Sequence, residues 1–180
     1  MDIPSMSARK GLIIVNTGDG KGKTTAALGL ALRATGHDLK VSMIQFIKGK
    51  WKPGEVRAAS RLAPNFEIMP MGLGFTWLSK DLDRDKAEAQ KAWKLAKEKI
   101  ASGQYNIVIL DELPHAIAHG FVELDDVVET LRNKLEMLHI VITGSNTPEK
   151  IIQIADLVTE MRLIKHPYED GVIAQRGIEF

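Results

Sequence analysis

Five short, mainly apolar runs recur along the chain, and segments with a helical or turn-rich pattern separate them. Runs of this length are typical of strands that are buried on both faces of a sheet. Because helical segments alternate with them, we expect parallel strands that are covered by helices on both sides. The predicted strands cover residues 12–15, 41–46, 107–110, 138–142 and 157–161. The pattern therefore predicts a three-layer α/β fold.

Four segments have the apolar spacing of amphipathic helices, in steps of three and four residues. The first helix is expected to end at Gly36 as its C′ residue. Its residues expected to face the sheet are Ala26, Ala27, Leu30 and Ala31. The predicted helices cover residues 23–35, 81–102, 123–134 and 148–155, and Thr147 is expected to cap the last one.

Residues 48–80 break this pattern because they are rich in Gly and Pro. We predict a long loop there, and loops of this length usually carry function. Phe75 and Trp77 follow flexible glycines in it. They could line a site for a large flat ligand or fill the protein's own core, and both interpretations stay open. Trp51 and Trp93 are expected to be packing residues.

A glycine-rich loop follows the first predicted strand directly. Glycines let backbone N–H groups approach an anion, and the start of the next helix favours negative charge. Lys21 and Lys23 add two cations, and the Thr24 hydroxyl can bind a divalent metal ion. The residues predicted to bind nucleotide are Thr17, Gly18, Asp19, Gly20, Lys21, Gly22, Lys23, Thr24 and Thr25. The alternative is a glycine-rich turn with two solvated lysines.

This loop is a variant of the common phosphate-binding motif. The motif has a Gly five residues before its Gly-Lys-Ser/Thr ending, and Thr17 stands at that position. The loop predicts that a nucleotide triphosphate is bound, but it does not specify the reaction.

Two acids, Asp111 and Glu112, follow the third predicted strand. Acids at the carboxyl ends of parallel strands face the ligand crevice, where a carboxylate can lie beside a magnesium ion. We predict Thr24, Asp111 and Glu112 as metal ligands. The alternative is an exposed acidic pair that caps the next helix before Pro114. In a nucleotide hydrolase, Glu112 would be expected to activate water.

Two further motifs are ambiguous from the residues alone. Residues 143–148 lie at the same predicted sheet edge, where Gly144 permits close approach of a ligand or simply belongs to a strand-to-helix connection. His115 and His119 are four residues apart without a third metal ligand, so a packed or surface role is expected.

Charge and composition exclude several functional classes. The formal net charge of +1 favours neither nucleic acid nor a membrane surface as a partner. The absence of cysteine excludes disulfides, thiolate nucleophiles and Cys-based metal sites. No apolar run approaches the roughly 20 residues that span a bilayer, and the N-terminus lacks the apolar core of a signal peptide. We expect a single cytoplasmic domain over residues 1–180.

Taken together, the motifs resemble those of the housekeeping, P-loop type of ATP:corrinoid adenosyltransferase. The matching stretches cover nearly the whole chain in order, at residues 17–25, 45–50, 74–77, 108–112, 141–144, 155–161 and 174–180. Many families share a phosphate loop, whereas the aromatic loop and the Gly-Ile-Glu-Phe ending are far more specific. The resemblance implies a P-loop NTPase-like (RecA-like) fold, with a mostly parallel sheet flanked by helices.

The resemblance also implies an activity. The 5′-deoxyadenosyl group of ATP would pass to the cobalt(I) of a corrinoid, with release of triphosphate, in the biosynthesis or salvage of adenosylcobalamin. Lys23 and Mg²⁺ would stabilise the leaving group, from ATP bound in an orientation reversed relative to P-loop hydrolases. Phe75 and Trp77 would crowd the lower face of the corrinoid and ease its reduction. A homodimer and an electron donor, either reduced flavodoxin or flavin, are implied as partners.

Two positions depart from the family pattern. Leu73 stands where an acidic residue is common, and Ser145 and Asn146 stand where an Arg is common. A contact to corrinoid or nucleotide is expected to be lost or replaced there. The alternative functions are an ordinary P-loop ATPase or kinase that produces ADP, and a corrinoid carrier without catalytic activity.

Overall fold

A computed structural model describes residues 9–47, 53–72 and 82–179. Within these ranges, every strand belongs to one parallel sheet. The strands are β1 (Ile13–Thr17), β2 (Val41–Gln45), β3 (Phe66–Pro70), β4 (Ile107–Asp111), β5 (His139–Thr143) and β6 (Leu157–Glu160). Their order across the sheet is β3-β2-β4-β5-β1-β6. β5 thus separates β1, which precedes the glycine-rich loop, from β4, which ends in Asp111.

Helices cover both faces of the sheet, which confirms the predicted three-layer α/β fold. The helices are α1 (Lys23–Thr35), α2 (Gly54–Ala59), α3 (Leu82–Ala101), α4 (Leu113–Ala118), α5 (Leu124–Arg132) and α6 (Glu149–Ile152), with 3-10 turns at Ser60–Leu62 and Pro167–Asp170. One buried apolar cluster lies between the sheet and α1. A second cluster lies between the other face and α3, α4 and α5. No helix in the described ranges is long and apolar enough to cross a membrane.

The first helix docks through small side chains. Ala27 and Ala31 are fully buried, as predicted, and Leu30 packs beside them. Small residues allow α1 to approach the sheet closely, and this contact aims the start of the helix at the glycine-rich loop. The predicted C′ role of Gly36 is wrong, because its φ of −65° is right-handed and its N–H donates to the Leu32 carbonyl. The left-handed residue after the helix is Asp38, with a φ of 57°.

The predicted long loop over residues 48–80 is wrong for the part that the structure describes. Helix α2, a 3-10 turn and strand β3 lie there. β3 is an edge strand paired only with β2, and its residues after Phe66 are only partly buried. An edge strand is not apolar on both faces, and Pro64 and Pro70 resemble loop residues. The strand therefore lacked the signal that identified the others.

The last strand is confirmed, but its predicted burial is wrong. β6 occupies the other edge of the sheet, and all four of its residues are exposed. Leu157 and Val158 are 50% and 40% exposed. An apolar run predicts a strand, but the run does not show whether another element covers it.

The other helices differ from their predictions mainly at their ends. α3 and α5 match the predicted segments to within two residues at each described end, and α4 was not predicted as an element. α6 is a single turn, and its N-cap position is occupied by Pro148. The predicted capping role of Thr147 is wrong, because its hydroxyl donates to the Gly144 carbonyl instead.

Candidate functional site

The glycine-rich loop between β1 and α1 is closed around a lysine ammonium group. Lys23 Nζ lies 2.7 Å from the Gly18 carbonyl oxygen and 2.9 Å from the Gly20 carbonyl oxygen. Gly18 and Gly22 have φ values of 94° and 109°, a region that glycine adopts without strain. The loop therefore holds a cation at its centre, at the start of α1, where a phosphate group is favoured.

The chain after β6 supports this loop from one side. The Gly20 N–H donates to the Met161 carbonyl at 2.7 Å, and the Met161 N–H donates to the Thr17 carbonyl at 2.8 Å. A Cβ atom on Gly20 would lie 2.7 Å from the carbonyl carbon of Arg162. Gly20 is therefore required by contact with the protein's own backbone, and its N–H is already used.

The loop after β5 supports the phosphate loop from the other side. Ser145 Oγ donates to the Gly18 carbonyl at 3.1 Å, and the Thr147 N–H donates to Thr17 Oγ1 at 3.3 Å. Ser145 is one of the positions that depart from the family pattern, and the structure gives it a contact with the phosphate loop. The suggested ligand role of Gly144 is not required, because a Cβ there would lie 2.7 Å from Pro114 Cδ.

The C-terminal segment also reaches the phosphate loop. Lys21 Nζ lies 3.6 Å from Glu179 Oε1, and Glu179 Oε2 accepts a hydrogen bond from the Gln175 N–H. The Gln175 N–H and the Lys21 ammonium hold the pKa of Glu179 below its ordinary value of 4.5. The sequence pattern did not assign this segment a structure, and the ion pair places it beside a predicted nucleotide-binding residue.

Asp111 joins the end of β4 to the start of α1. The carboxylate is fully buried, and its Oδ1 accepts hydrogen bonds from Thr24 Oγ1 at 2.8 Å and Thr143 Oγ1 at 2.7 Å. Its Oδ2 accepts a hydrogen bond from Gln45 Nε2 at 3.2 Å. These donors are all neutral, and no cationic side chain of the described residues bonds to this carboxylate. A buried carboxylate without a cation is costly, so the site favours a cation from outside the chain.

Glu112 leaves the strand in a different direction. Its φ of 63° is left-handed, and its N–H donates to the Thr143 carbonyl at 2.8 Å. It occupies the N-cap position of α4 but makes no side-chain capping bond there. The alternative of an exposed acidic capping pair is therefore wrong, because Asp111 is buried and Glu112 does not cap through its side chain. The role of Glu112 as a metal ligand stays a prediction.

The oxygen atoms at this site fit a magnesium ion. Magnesium is commonly bound through one or two carboxylates, water and substrate phosphates rather than by a complete protein cage. Thr24 Oγ1 and the Asp111 carboxylate provide such a partial set next to the phosphate loop. In keeping with this, the described residues contain no cluster of three or more His, Cys, Asp or Glu that could hold a metal ion alone.

The histidine pair lies on α4, just beyond this edge of the sheet. The ring centroids of His115 and His119 are 4.2 Å apart, and the His119 ring Nδ1 is hydrogen-bonded with the His115 carbonyl. Burial and the charge of the neighbouring His119 both lower the pKa of His115. The pair is in mutual contact, which agrees with the expected packed role.

Several predicted residues cannot be placed. Phe75, Trp77, Leu73 and Trp51 lie outside the described residues. Conversely, the sequence reading missed the contacts of two residues at the site, Gln45 and Thr143. Each is the polar residue that ends a largely apolar strand, and this shared position was the signal that could have revealed them.

Comparison with known proteins identifies the family. Residues 9–180 match the family model described as ATP:corrinoid adenosyltransferase BtuR/CobO/CobP. The chain belongs to this family of enzymes. Its relatives include a corrinoid adenosyltransferase of Pseudomonas aeruginosa, 42% identical over 95% of this chain and 84% of the relative. Proteins of the same name from Sinorhizobium sp and Escherichia coli are 44% and 40% identical over 95% of this chain and 81% and 86% of their own lengths.

Solved structures agree with the fold of the adenosyltransferase. The flagellar accessory protein FlaH from Methanocaldococcus jannaschii aligns with a TM-score of 0.54, covering 83% of this chain and 70% of FlaH. The two chains are 16% identical, so this likeness concerns the fold alone. It agrees with the P-loop NTPase-like architecture predicted from the sequence.

Proposed function

We propose that this protein transfers the 5′-deoxyadenosyl group of ATP to the cobalt ion of a reduced corrinoid and releases triphosphate. Membership of the ATP:corrinoid adenosyltransferase family supports this proposal. The observation that carries it at the level of residues is the phosphate loop, closed around Lys23, with Thr24 hydrogen-bonded to the buried Asp111. This arrangement fits a triphosphate and a divalent cation.

The reaction needs no nucleophile from the protein. Cobalt(I) donates an electron pair to C5′ of the ribose, a cobalt–carbon bond forms, and the C5′–O bond breaks. The triphosphate leaves with the electrons of that bond. The protein has to orient ATP, exclude water and stabilise the negative charge that grows on the leaving group. Lys23 and Lys21 are placed to do the last of these, with the free N–H groups of the loop.

Magnesium is the metal ion proposed for this site. When bound, it would neutralise charge on the leaving triphosphate. Thr24 and Asp111 are the proposed ligands, with Glu112 as a further candidate. In this arrangement Asp111 accepts the hydroxyl proton of Thr24, which leaves the oxygen lone pairs of Thr24 for a cation.

The products distinguish this reaction from the alternatives. With ATP, Mg²⁺ and a chemically reduced corrinoid, we expect triphosphate and an alkyl–cobalt absorption spectrum in equal amounts, and neither without the corrinoid. An ATPase or kinase would release ADP, and a corrinoid carrier would bind corrinoid without forming the alkyl–cobalt product. Family membership does not favour either alternative. Release of ADP without triphosphate would contradict the proposal.

The roles of Phe75 and Trp77 are also proposals. If they crowd the lower face of the corrinoid, replacing both by Ala should leave ATP binding intact and strongly slow adenosylation of a cobalt(II) substrate under reducing conditions. Tyr168→Ala is a suitable control, because this aromatic side chain is 75% exposed. An unchanged rate in the double variant would mean that the two residues only pack.

Three further expectations extend the proposal. A homodimer is supported by the exposed apolar residues of β6, since an apolar sheet edge tends to be covered by another chain. Light scattering over a range of concentrations would measure the mass. Reduced flavodoxin or flavin as the electron donor, and a cytoplasmic location, stay predictions.

A further inference from the structure

Four polar side chains stand side by side at the carboxyl edge of the sheet. Strand pairing places Gln45 of β2 opposite Asp111 of β4. The row continues with Thr143 of β5 and Asn16 of β1. All four residues are buried. Side chains two positions apart share a face of a strand, and the apolar residues two positions earlier pack with α1. The row therefore faces α1 and the phosphate loop.

Asp111 lies within this row, and neutral donors orient its carboxylate. Two hydroxyl groups, those of Thr24 and Thr143, donate to Oδ1. Gln45 Nε2 donates to Oδ2, and it is the only donor to that oxygen among the described residues. Without Gln45, the Oδ2 side of the carboxylate would have no partner from this part of the chain. Gln45 therefore holds the second oxygen in place.

The contacts of Gln45 itself are unusual for a packing residue. Its side chain is fully buried, and Nε2 lies between two carboxylates, 3.2 Å from Asp111 Oδ2 and 3.5 Å from Glu55 Oε1. The acceptor Oε1 has no hydrogen-bond partner among the described residues. A buried acceptor without a partner opposes folding, and a methionine of similar length would fill the same space without that cost. Packing alone does not account for the amide.

We infer that Gln45 is a positioning residue for the metal site. Its amide fixes the rotation of the Asp111 carboxylate, so that Oδ1 continues to accept the Thr24 hydroxyl proton. The lone pairs of Thr24 Oγ1 then face the cation bound with ATP. Gln45 acts through Asp111 and contacts neither metal nor nucleotide. This inference rests on the proposed function, because it assumes that the phosphate loop binds a metal–nucleotide complex.

Gln45→Met tests this role through metal binding, without any catalytic turnover. Mn²⁺ replaces Mg²⁺, and electron paramagnetic resonance measures its affinity for the protein–ATP complex in the absence of corrinoid. Loss of one hydrogen bond to a charged group should weaken Mn²⁺ binding about tenfold. The melting temperature of the free protein should not fall, because an unpaired acceptor is removed as well. Gln90→Met, on the exposed surface of α3, is the matched control and should change neither quantity.

A second background separates positioning from general disturbance of the site. In Asp111→Asn, Gln45 no longer faces a charged partner in the row, so adding Gln45→Met should leave Mn²⁺ affinity unchanged within about twofold. If Gln45→Met does not fold, Gln45→Asn replaces it, since the shorter amide cannot keep the same bond. An unchanged Mn²⁺ affinity in the single variant, or an equal loss in the Asp111→Asn background, would overturn the inference.

The proposed function and this inference can fail separately. If the wild-type protein binds Mn²⁺ with ATP and forms the alkyl–cobalt product, but Gln45→Met behaves like wild type, only the role of Gln45 is wrong. If the wild-type protein binds no Mn²⁺ in the presence of ATP, the metal site itself is wrong, and the inference is overturned with it.

Discussion

Gly20 is the position where the phosphate loop depends most directly on the rest of the fold. The residue is buried against the chain that follows β6, and its N–H donates to the Met161 carbonyl at 2.7 Å. In Gly20→Ala, the new Cβ would lie 2.7 Å from the carbonyl carbon and oxygen of Arg162. These are backbone atoms, so no side-chain rotation can relieve the contact. The loop or the chain after β6 has to move.

The size of this movement sets the expected effect. Ordinary contact of a Cβ begins near 3.4 Å, so the two segments must separate by about 0.7 Å. Overpacking of this kind costs about 1–3 kcal/mol of unfolding free energy, and weakening the Gly20–Met161 hydrogen bond adds about 1 kcal/mol. A displacement approaching 1 Å at a site that positions a reacting group costs on the order of tenfold to a hundredfold in rate. Both stability and activity should therefore fall.

Gly29→Ala is the matched control. Gly29 lies within α1, and an added Cβ would meet nothing within 4 Å. Alanine is favoured over glycine inside a helix, so this variant should gain about 0.5–1 kcal/mol of stability with unchanged activity. Urea unfolding measures the stability, calorimetry measures ATP affinity, and triphosphate release measures the rate. If Gly20→Ala is as stable and as active as wild type, the chain after β6 does not support the loop as described.

Three other variants test individual contacts of the adenosyltransferase. Ser145→Ala removes the hydroxyl bond to the Gly18 carbonyl, so KM for ATP should rise about fivefold with little change in kcat, and Ser145→Thr should restore it. Glu179→Gln releases Lys21 from a surface ion pair, so ATP should bind about twofold more tightly at low salt and equally at high salt. Hydrogen bonds from Lys97 and then Trp93 hold the pKa of Asp126 below 3.8, so its stabilising effect is present above that pH and is lost as the pH falls through the lower folded value. Lys97→Met should make this acid-induced loss smaller in urea unfolding, and an unchanged pH dependence would contradict the assignment.

The elements that the sequence predicted are those with a strong local signal. β1, β2, β4 and β5 are central strands with helices on both faces, so their mainly apolar runs identified them. β3 and the exposure of β6 were missed because edge strands contact one neighbour only. An apolar pattern records that burial is possible, whereas the position in the sheet decides whether it happens.

The candidate site shows the same division between local and distant information. Glycine spacing and the adjacent lysines of residues 17–25 predicted phosphate binding, because the loop's backbone freedom and charge are local properties. The contact between Thr24 and Asp111 joins residues 87 positions apart, and the contact between Ser145 and Gly18 joins residues 127 positions apart. Asp111 was predicted because strand-end acids in α/β sheets share one edge. Ser145 could not be assigned its contact in this way.

By itself, the sequence determined the layered α/β fold, the phosphate loop and the resemblance to corrinoid adenosyltransferases, because strand periodicity and glycine-rich turns are encoded by neighbouring residues. The tertiary structure alone decided which polar side chains meet at the carboxyl edge of the sheet. It placed Gln45 against Asp111, Ser145 against Gly18 and Glu179 against Lys21. These contacts depend on strand order and register, which arise only when distant segments pack together.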